Sequence, residues 1–171
     1  KGKGKVIVHV GAPAEEDAVA LAKHAAEAGA DAISSLPPYV QGYSFDEVYA
    51  HYTRLAYASG LPAFVYYIPV ITHREFSLDE IDQLLDIEGV AGLKFTNHNF
   101  YLMEGILDGG RNPHVFNGHD EVFLAGMAMG APAGIGSYYN VLPAHFVGIY
   151  DSYLAGNLEE AFRLQREVNR L

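Results

Sequence analysis

Six short apolar runs alternate with helical patterns along the chain, and this alternation constrains the fold more than any other feature. The runs are continuously apolar instead of alternating with polar residues, which is typical of parallel strands covered on both faces. A strand followed by a helix, repeated along the chain, predicts an α/β fold with a parallel sheet. The predicted strands cover residues 6–10, 32–36, 62–68, 90–95, 114–116 and 133–137.

The segments between these runs contain sequence signals for the starts and ends of helices. Ser44-x-x-Glu47 and Ser77-x-x-Glu80 are capping boxes, in which side chain and backbone satisfy each other's hydrogen bonds at a helix start. An alanine-rich helix over residues 15–29 is predicted to end at Gly29. Further helices are predicted over residues 125–129 and 146–154, and a last helix begins at Asn157-x-x-Glu160. The residues predicted to face inward from the first three helices and from the last one are Ala18, Leu21, Ala22, Ala25, Val48, Tyr52, Leu55, Ile81, Leu84, Leu85, Ala161, Leu164, Val168 and Leu171.

Two architectures of a parallel sheet are possible, a doubly wound open sheet and a barrel. A doubly wound nucleotide-binding sheet carries a glycine-rich turn after an early strand, but the first such turn here reads GAPAEED, without GxGxxG. The barrel is therefore favoured. A complete (βα)8 barrel takes about 250 residues, so six units in 171 residues leave two strands absent or the sheet open. Residues 1–171 are expected to form one partial barrel domain.

The charge and composition exclude several classes of protein. The formal net charge is −10, which argues against partners such as nucleic acid or an anionic membrane that require a basic face. With no cysteine, the chain has neither disulfides nor a thiolate nucleophile. No apolar run reaches the roughly 18 residues of a membrane span. The opening segment KGKGKVIVHV lacks a signal-peptide pattern, so a cytoplasmic location is expected.

Lys94 is the strongest candidate for chemistry. Because side chains alternate across a strand, Gly92, Lys94 and Thr96 share one face of the fourth run, while Leu93 and Phe95 share the other. The larger apolar pair is expected to pack under the helices, which directs Lys94 into the barrel. A partly desolvated lysine with a lowered pKa attacks carbonyl groups. The alternative is a strand-end lysine that reaches solvent.

Other polar residues follow the predicted strands. Tyr66, at the end of the third run, is a candidate proton relay or an ordinary core aromatic residue. Asp120 and Glu121 are candidates for binding a polyhydroxylated substrate, and they also suit the first turn of a helix. His98 and His119 follow strands, but no compact metal spacing such as HExxH is present, so they are interpreted as solvated loop residues. No metal site is predicted.

Four segments, in order, carry a resemblance to a known family: VYYIP, GLKFTNHNFYLME, FNGHDEVF and GIGSYYN. With these segments the chain resembles the N-acetylneuraminate lyase and dihydrodipicolinate synthase family of class I aldolases. The resemblance implies a (βα)8 TIM barrel, an activity that cleaves or forms a carbon–carbon bond to pyruvate, no metal or organic cofactor, and a tetramer. Lys94 corresponds to the Schiff-base lysine and Tyr66 to the proton-relaying tyrosine. The implied substrate-binding residues are Thr96, Gly118, Asp120, Glu121, Gly136 and Ser137.

Within the family, two features favour the lyase branch over the synthase branch. The synthases carry an arginine shortly after the VYYIP-like segment, where this chain has Ile71. The Asp120-Glu121 pair and GIGSYYN also match the lyase pattern. The implied substrate is a sialic acid or a related 2-keto sugar acid. Condensation of pyruvate with an amino-aldehyde in lysine biosynthesis, as in the synthase branch, and other sugar-acid aldolases remain alternatives.

The chain departs from the family pattern at three points. Tyr67 stands where the family has asparagine, and Val40 stands where it has a second relay tyrosine, for which Tyr39 or Tyr43 are possible substitutes. The resemblance also begins only at the family's third strand. The chain is thus expected to cover strands three to eight, without the turn that holds the pyruvate carboxylate. Such a segment would associate, be unstable or be completed by further chain, and a non-catalytic fragment is a third hypothesis.

Overall fold

The computed structural model describes residues 4–37 and 42–171. It contains one six-stranded sheet in which every neighbouring pair is parallel. The proposed relay position at Val40 and its substitute Tyr39 lie outside the described residues, as do Lys1 and Lys3. The strands are β1 Ile7–His9, β2 Ala32–Ser35, β3 Ala63–Tyr67, β4 Val90–Phe95, β5 His114–Asn117 and β6 Ala133–Gly134.

The strand order is sequential, β1-β2-β3-β4-β5-β6. Each new strand joins the same edge of the growing sheet, whereas a doubly wound sheet reverses direction at a switch point. The sheet is therefore a curled segment of a βα barrel with about six βα units. The predictions of an α/β class and of a barrel are confirmed.

Eight helices connect or follow the strands in the described residues. Two of them, α3 and α5, had not been predicted from the sequence, and two short 3₁₀ turns follow β5 and β6, at Asp120–Val122 and Tyr138–Asn140. The helices are α1 Glu15–Glu27, α2 Phe45–Ser59, α3 Pro69–Thr72, α4 Leu78–Leu85, α5 Phe100–Asp108, α6 Phe123–Ala128, α7 Pro143–Leu154 and α8 Leu158–Val168. None of them is long and apolar enough to cross a membrane.

Both predicted capping boxes are present and fix the starts of α2 and α4. The Glu47 amide donates to Ser44 Oγ at 3.3 Å, while the Ser44 amide donates to Glu47 Oε2 at 2.8 Å. The Ser77 and Glu80 pair repeats this arrangement at 3.2 and 2.9 Å. Each cap satisfies backbone donors that a helix start otherwise leaves without partners, worth about 0.5–2 kcal/mol.

The two faces of the sheet differ in composition. On the convex face, Val65, Leu93, Phe95 and Val115 are nearly inaccessible to solvent and pack against α2, α4 and α5 in the main hydrophobic core. The concave face is partly accessible and carries Lys94. Leu93 and Phe95 thus lie under the helices and Lys94 lies inside the barrel, as strand alternation predicts.

Two predicted core residues are wrong, Leu21 and Leu171. Leu171 lies three residues beyond the end of α8 and is 80% exposed. Leu21 was expected to face inward from α1, but it is 44% exposed. The buried side of α1 is lined by Ala18, Ala22 and Ala25, which recur at helical spacing and bring the helix close to the sheet. Leu21 lies beside this narrow stripe, so the close approach of the helix leaves no inward space for it.

A buried polar network joins α1, α2 and β2. His51, on α2, is 2% exposed. Its Nδ1 lies 2.6 Å from Glu15 Oε2 on α1, and its Nε2 lies 3.1 Å from Ser35 Oγ on β2. Serine, histidine and carboxylate in this order resemble a hydrolytic triad, but Ser35 is 1% exposed and leaves no room for a substrate. The network is structural, because buried polar groups stabilise a fold only when they are paired.

Replacing His51 by phenylalanine should lower the free energy of unfolding by about 1–3 kcal/mol, since it removes the partner of two polar groups in a buried setting. Urea denaturation of the protein at its full natural length measures this. Tyr57, which is 91% exposed on the same helix, provides the control. Tyr57→Phe should change stability by no more than about 0.5 kcal/mol. Equal effects of the two substitutions would contradict a structural role for the His51 network.

Candidate active site

A cavity of about 150 Å³ opens on the concave face of the sheet. Its lining comes from all six strands or the residue directly after them, so only the folded sheet assembles it. Lys94 and Tyr66 provide its central polar groups. The lining residues are Ile7, His9, Ser34, Phe64, Tyr66, Lys94, Phe116 and Ile135.

Lys94 lies directly beside Tyr66. The two residues are register partners on adjacent strands, and Lys94 Nζ lies 4.0 Å from the centroid of the Tyr66 ring. A cation at this distance from an aromatic face is attracted by the ring quadrupole, by about 0.5–2 kcal/mol depending on desolvation. The ring therefore holds the amine inside the cavity, and the predicted alternative of a lysine that reaches away to solvent does not describe this arrangement.

A register shift in β4 brings these two residues together. Ala63 pairs with Val90 but Phe64 pairs with Gly92, so Ala91 is an extra residue in β4. Without that residue, Leu93 would lie opposite Tyr66. The close approach of β5 requires glycine next to the shift, because a Cβ at Gly92 would lie 2.0 Å from the His114 carbonyl oxygen. β-Bulges of this kind re-aim side chains next to functional sites.

His9 also belongs to the cavity, although no sequence motif marks it as a functional residue. Its ring meets the Tyr66 ring edge-on, with centroids 6.0 Å apart. Burial lowers the pKa of His9 from its usual value, and the positive charge of Lys94 lowers it further. A neutral imidazole beside Lys94 and Tyr66 is suited to proton transfer. The sequence does contain a signal for the position of His9. Side chains alternate along a strand, so His9 is expected on the same face of β1 as Ile7.

Thr96 and Gly118 lie just beyond the carboxyl ends of β4 and β5, at the edge of the sheet that we call the mouth of the cavity. Thr96 lines an opening beside α3 that is separate from the Lys94 cavity itself. The Thr96 amide donates to the Tyr67 carbonyl and the Gly118 amide to the Phe95 carbonyl, both at 2.8 Å. Thr96 is 6% exposed, and its hydroxyl has no hydrogen-bond partner among the described residues. A Cβ at Gly118 would lie 2.0 Å from that hydroxyl, so only glycine fits there.

Asp120 ties the loop after β5 to the loop after β6. Its Oδ2 accepts the Tyr138 amide at 2.9 Å. The other carboxylate oxygen, Oδ1, has no partner among the described residues and lies against Gly136, where a Cβ would be 1.4 Å from it. Ser137 begins the exposed turn between these two contacts. The structure thus brings together three of the residues predicted for substrate binding.

Helix α8 supports the acidic loop through two amide side chains that the sequence analysis missed. Gln165 Nε2 donates to the Asp120 carbonyl at 3.1 Å, while its Oε1 accepts the Leu124 amide at 3.0 Å. Asn169 Nδ2 donates to the Glu121 carbonyl at 2.9 Å. A glutamine and an asparagine four residues apart on an amphipathic helix give no sequence signal of such contacts, because their partners lie more than forty positions earlier.

Glu121 lies beside the two histidines that had been interpreted as solvated loop residues. His119 Nδ1 lies 3.2 Å and His98 Nε2 3.7 Å from Glu121 Oε1. The His98 side chain is 61% exposed, as expected, but that of His119 is only 21% exposed. The interpretation is therefore wrong for His119, which packs against His98 because both strands end at the same edge of the sheet.

Taken together, these features define the protein as a segment of a parallel βα barrel with a lysine at the centre of its concave face. Residues 1–171 match the model of the dihydrodipicolinate synthetase family, and the chain belongs to that family. It is 42% identical over 170 residues to N-acetylneuraminate lyase of Rhizobium meliloti, a match that covers 99% of this chain and 56% of that protein. The chain thus spans little more than half the length of the curated relatives it matches.

Solved structures agree with this placement. CdNal from Clostridium difficile, solved in complex with mannosamine, matches with a TM-score of 0.96 and 31% identity, over 99% of this chain and 58% of that one. Dihydrodipicolinate synthase from Aquifex aeolicus matches with a TM-score of 0.90 and 28% identity, over 99% and 58%. The predicted family resemblance and the predicted barrel segment of about six units are confirmed.

Gly136→Ala should disrupt the link between Asp120 and the loop after β6, because the added methyl group would overlap Asp120 Oδ1. We expect amide hydrogen exchange at Tyr138 to accelerate by about tenfold or more, which corresponds to about 1.4 kcal/mol of local opening free energy. Gly42→Ala is the matched control, since a Cβ there meets nothing within 4 Å. Unchanged exchange in Gly136→Ala would show that the contact does not hold the loop.

Proposed function

We propose that the whole protein is a Schiff-base aldolase that cleaves or forms a carbon–carbon bond to pyruvate. Its substrate would be a sialic acid or a related 2-keto sugar acid, as in N-acetylneuraminate lyases. The observation that carries this proposal is the half-buried Lys94 amine, 4.0 Å above the Tyr66 ring in a cavity inside the barrel segment. The names of the relatives, including the lyase of Rhizobium meliloti, support the same chemistry.

In this mechanism the unprotonated Lys94 amine attacks the ketone carbon of the substrate. The carbinolamine that results loses water to give a protonated imine. The imine accepts the electron pair of the bond between its α and β carbons as the β-hydroxyl loses a proton and that fragment leaves as an aldehyde. The enamine that remains takes up a proton at its α carbon and is hydrolysed to pyruvate and the free Lys94 amine. Tyr66 transfers the protons that these steps require. The neutral His9 ring, 6.0 Å from the Tyr66 ring centroid, is a further candidate for this proton transfer. The reaction requires no metal and no organic cofactor.

We assign the hydroxylated end of the substrate to the mouth of the cavity. Two of the buried oxygen atoms that have no hydrogen-bond partner among the described residues are Thr96 Oγ1 and Asp120 Oδ1. An unpaired buried polar atom is costly, and a substrate hydroxyl would relieve that cost. Glu121 and Ser137 add exposed polar groups at the same edge, while Gly118 and Gly136 leave room for the oxygen atoms behind them.

The partners follow from the same proposal. The substrate is a small keto acid, and neither a nucleic acid nor a membrane is expected to bind. The chain covers 56% of its relative from Rhizobium meliloti. The turn that grips the pyruvate carboxylate would therefore lie in a part of the barrel outside this chain. We expect the complete protein to be a homo-oligomer, with a tetramer as the family's usual state.

Borohydride reduction in the presence of pyruvate tests the proposal. In the protein at its full natural length, the reduced adduct should add mass to the peptide that contains Lys94. It should not modify Lys23, an exposed lysine on α1. Lys94→Arg should abolish the label and lower kcat/KM by more than about 10³-fold. A folded protein that gives no adduct, or an adduct at another lysine, would refute Lys94 as the nucleophile.

A comparison of turnover with sialic acid and with an amino-aldehyde plus pyruvate distinguishes the two branches. Ile71, where synthases carry arginine, is 47% exposed on α3 and offers no positive charge to an aldehyde substrate that bears a carboxylate. We expect kcat/KM for the sialic acid to be higher by about 10²-fold or more, since a missing charged partner costs about that much discrimination. The reverse preference would favour the synthase branch.

A further inference from the structure

Two histidines and a glutamate lie close together at the mouth of the cavity, although they come from the segments after two different strands. His98 follows β4, whereas His119 and Glu121 follow β5. One potential ligand atom from each of the three residues lies within 4.8 Å of the other two. We call these three residues the His-Glu cluster. The reaction proposed above uses Glu121 but neither histidine.

The distances within the cluster suit a metal ion. His119 Nδ1 and His98 Nε2 lie 3.2 and 3.7 Å from the same oxygen, Glu121 Oε1. Ligands that surround Zn²⁺ as a tetrahedron, with bonds of about 2.0–2.1 Å, are separated by about 3.3 Å. The present separations therefore require only small side-chain rotations to admit an ion. The two rings stack with centroids 4.1 Å apart and planes at 22°.

The backbone under the cluster is fixed. The His98 carbonyl accepts the Phe100 amide at 2.9 Å at the start of α5, and the His119 carbonyl accepts Asn117 Nδ2 at 2.6 Å. Asn169 on α8 holds the Glu121 carbonyl at 2.9 Å. A ligand set carried on constrained backbone loses less conformational entropy when it binds an ion, which favours affinity.

We propose that His98, His119 and Glu121 form a binding site for a divalent transition-metal ion such as Zn²⁺, with further coordination positions open to water. Two imidazoles and one carboxylate select Zn²⁺, Cu²⁺ or Ni²⁺ over Mg²⁺ and Ca²⁺, which prefer all-oxygen ligands. The ion is an inhibitor and not a cofactor, because it takes Glu121 away from the substrate. This consequence for turnover rests on the proposed function, whereas the binding site itself does not.

Titration of the metal-free, full-length protein with Co²⁺ and Zn²⁺ tests the site. Co²⁺ reports its ligands through its visible absorption, and calorimetry gives the Zn²⁺ affinity. We expect one site per chain that Mg²⁺ does not occupy. His98→Ala, His119→Ala and Glu121→Gln should each weaken Zn²⁺ binding by about 10²-fold or more. His24→Ala and Glu104→Gln change an exposed histidine and an exposed glutamate outside the cluster and should leave the affinity unchanged.

Binding of Zn²⁺ that none of the three cluster variants weakens, or no binding at about 100 µM, a concentration well above a specific site's range, would overturn the assignment. Circular dichroism of each variant distinguishes a lost ligand from a lost fold. These readouts require no turnover, so they stand apart from a failure of the proposed reaction.

The inhibitory consequence has its own test. Zn²⁺ should inhibit turnover of the wild type, and His98→Ala should keep its basal activity and resist Zn²⁺ by about 10²-fold, in proportion to the lost affinity. Tight Zn²⁺ binding to the cluster without inhibition would refute the competition for Glu121.

Discussion

The register of β4 against β3 is the constraint on which the candidate site depends. The extra residue Ala91 shifts the pairing so that Lys94, and not Leu93, lies opposite Tyr66. The same shift keeps Leu93 and Phe95 in the core, at 1% and 0% exposure. Side chains alternate between the two faces of a strand. The shift therefore places Leu93 and Phe95 against the helices and, at the same time, the Lys94 amine in the cavity.

Around that pair, the parallel sheet concentrates polar groups at a single edge. The carboxyl ends of β4, β5 and β6 meet there, and this is where barrel enzymes carry their sites. Close packing at this edge explains its glycines, since Gly118 and Gly136 lie against the oxygen atoms of Thr96 and Asp120. The result is a set of buried oxygen atoms that the protein itself leaves without hydrogen-bond partners in the described part of the chain.

The helices around the sheet hold this edge in place in addition to burying the core. α8 binds the carbonyls of Asp120 and Glu121 through Gln165 and Asn169. At the carboxyl end of β2, His51 joins α1 and α2 to the sheet. Such contacts hold functional groups on loops in defined positions, because each contact restricts the motion of its loop. The last helix therefore contributes to the candidate site although it contributes no residue to the cavity.

The sequence by itself determined the βα alternation, the two capping boxes and the face of β4 that carries Lys94. Hydrogen bonds within a helix start and alternation along a strand depend on neighbouring residues, so a single sequence records them. The tertiary structure alone decided the shift at Ala91, the approach of His9 to Tyr66, the exposure of Leu21 and the meeting of His98 with Glu121. Each of these depends on how close separate elements come to one another. Local periodicity carries no information about that distance, which the packing of the whole sheet and its helices sets.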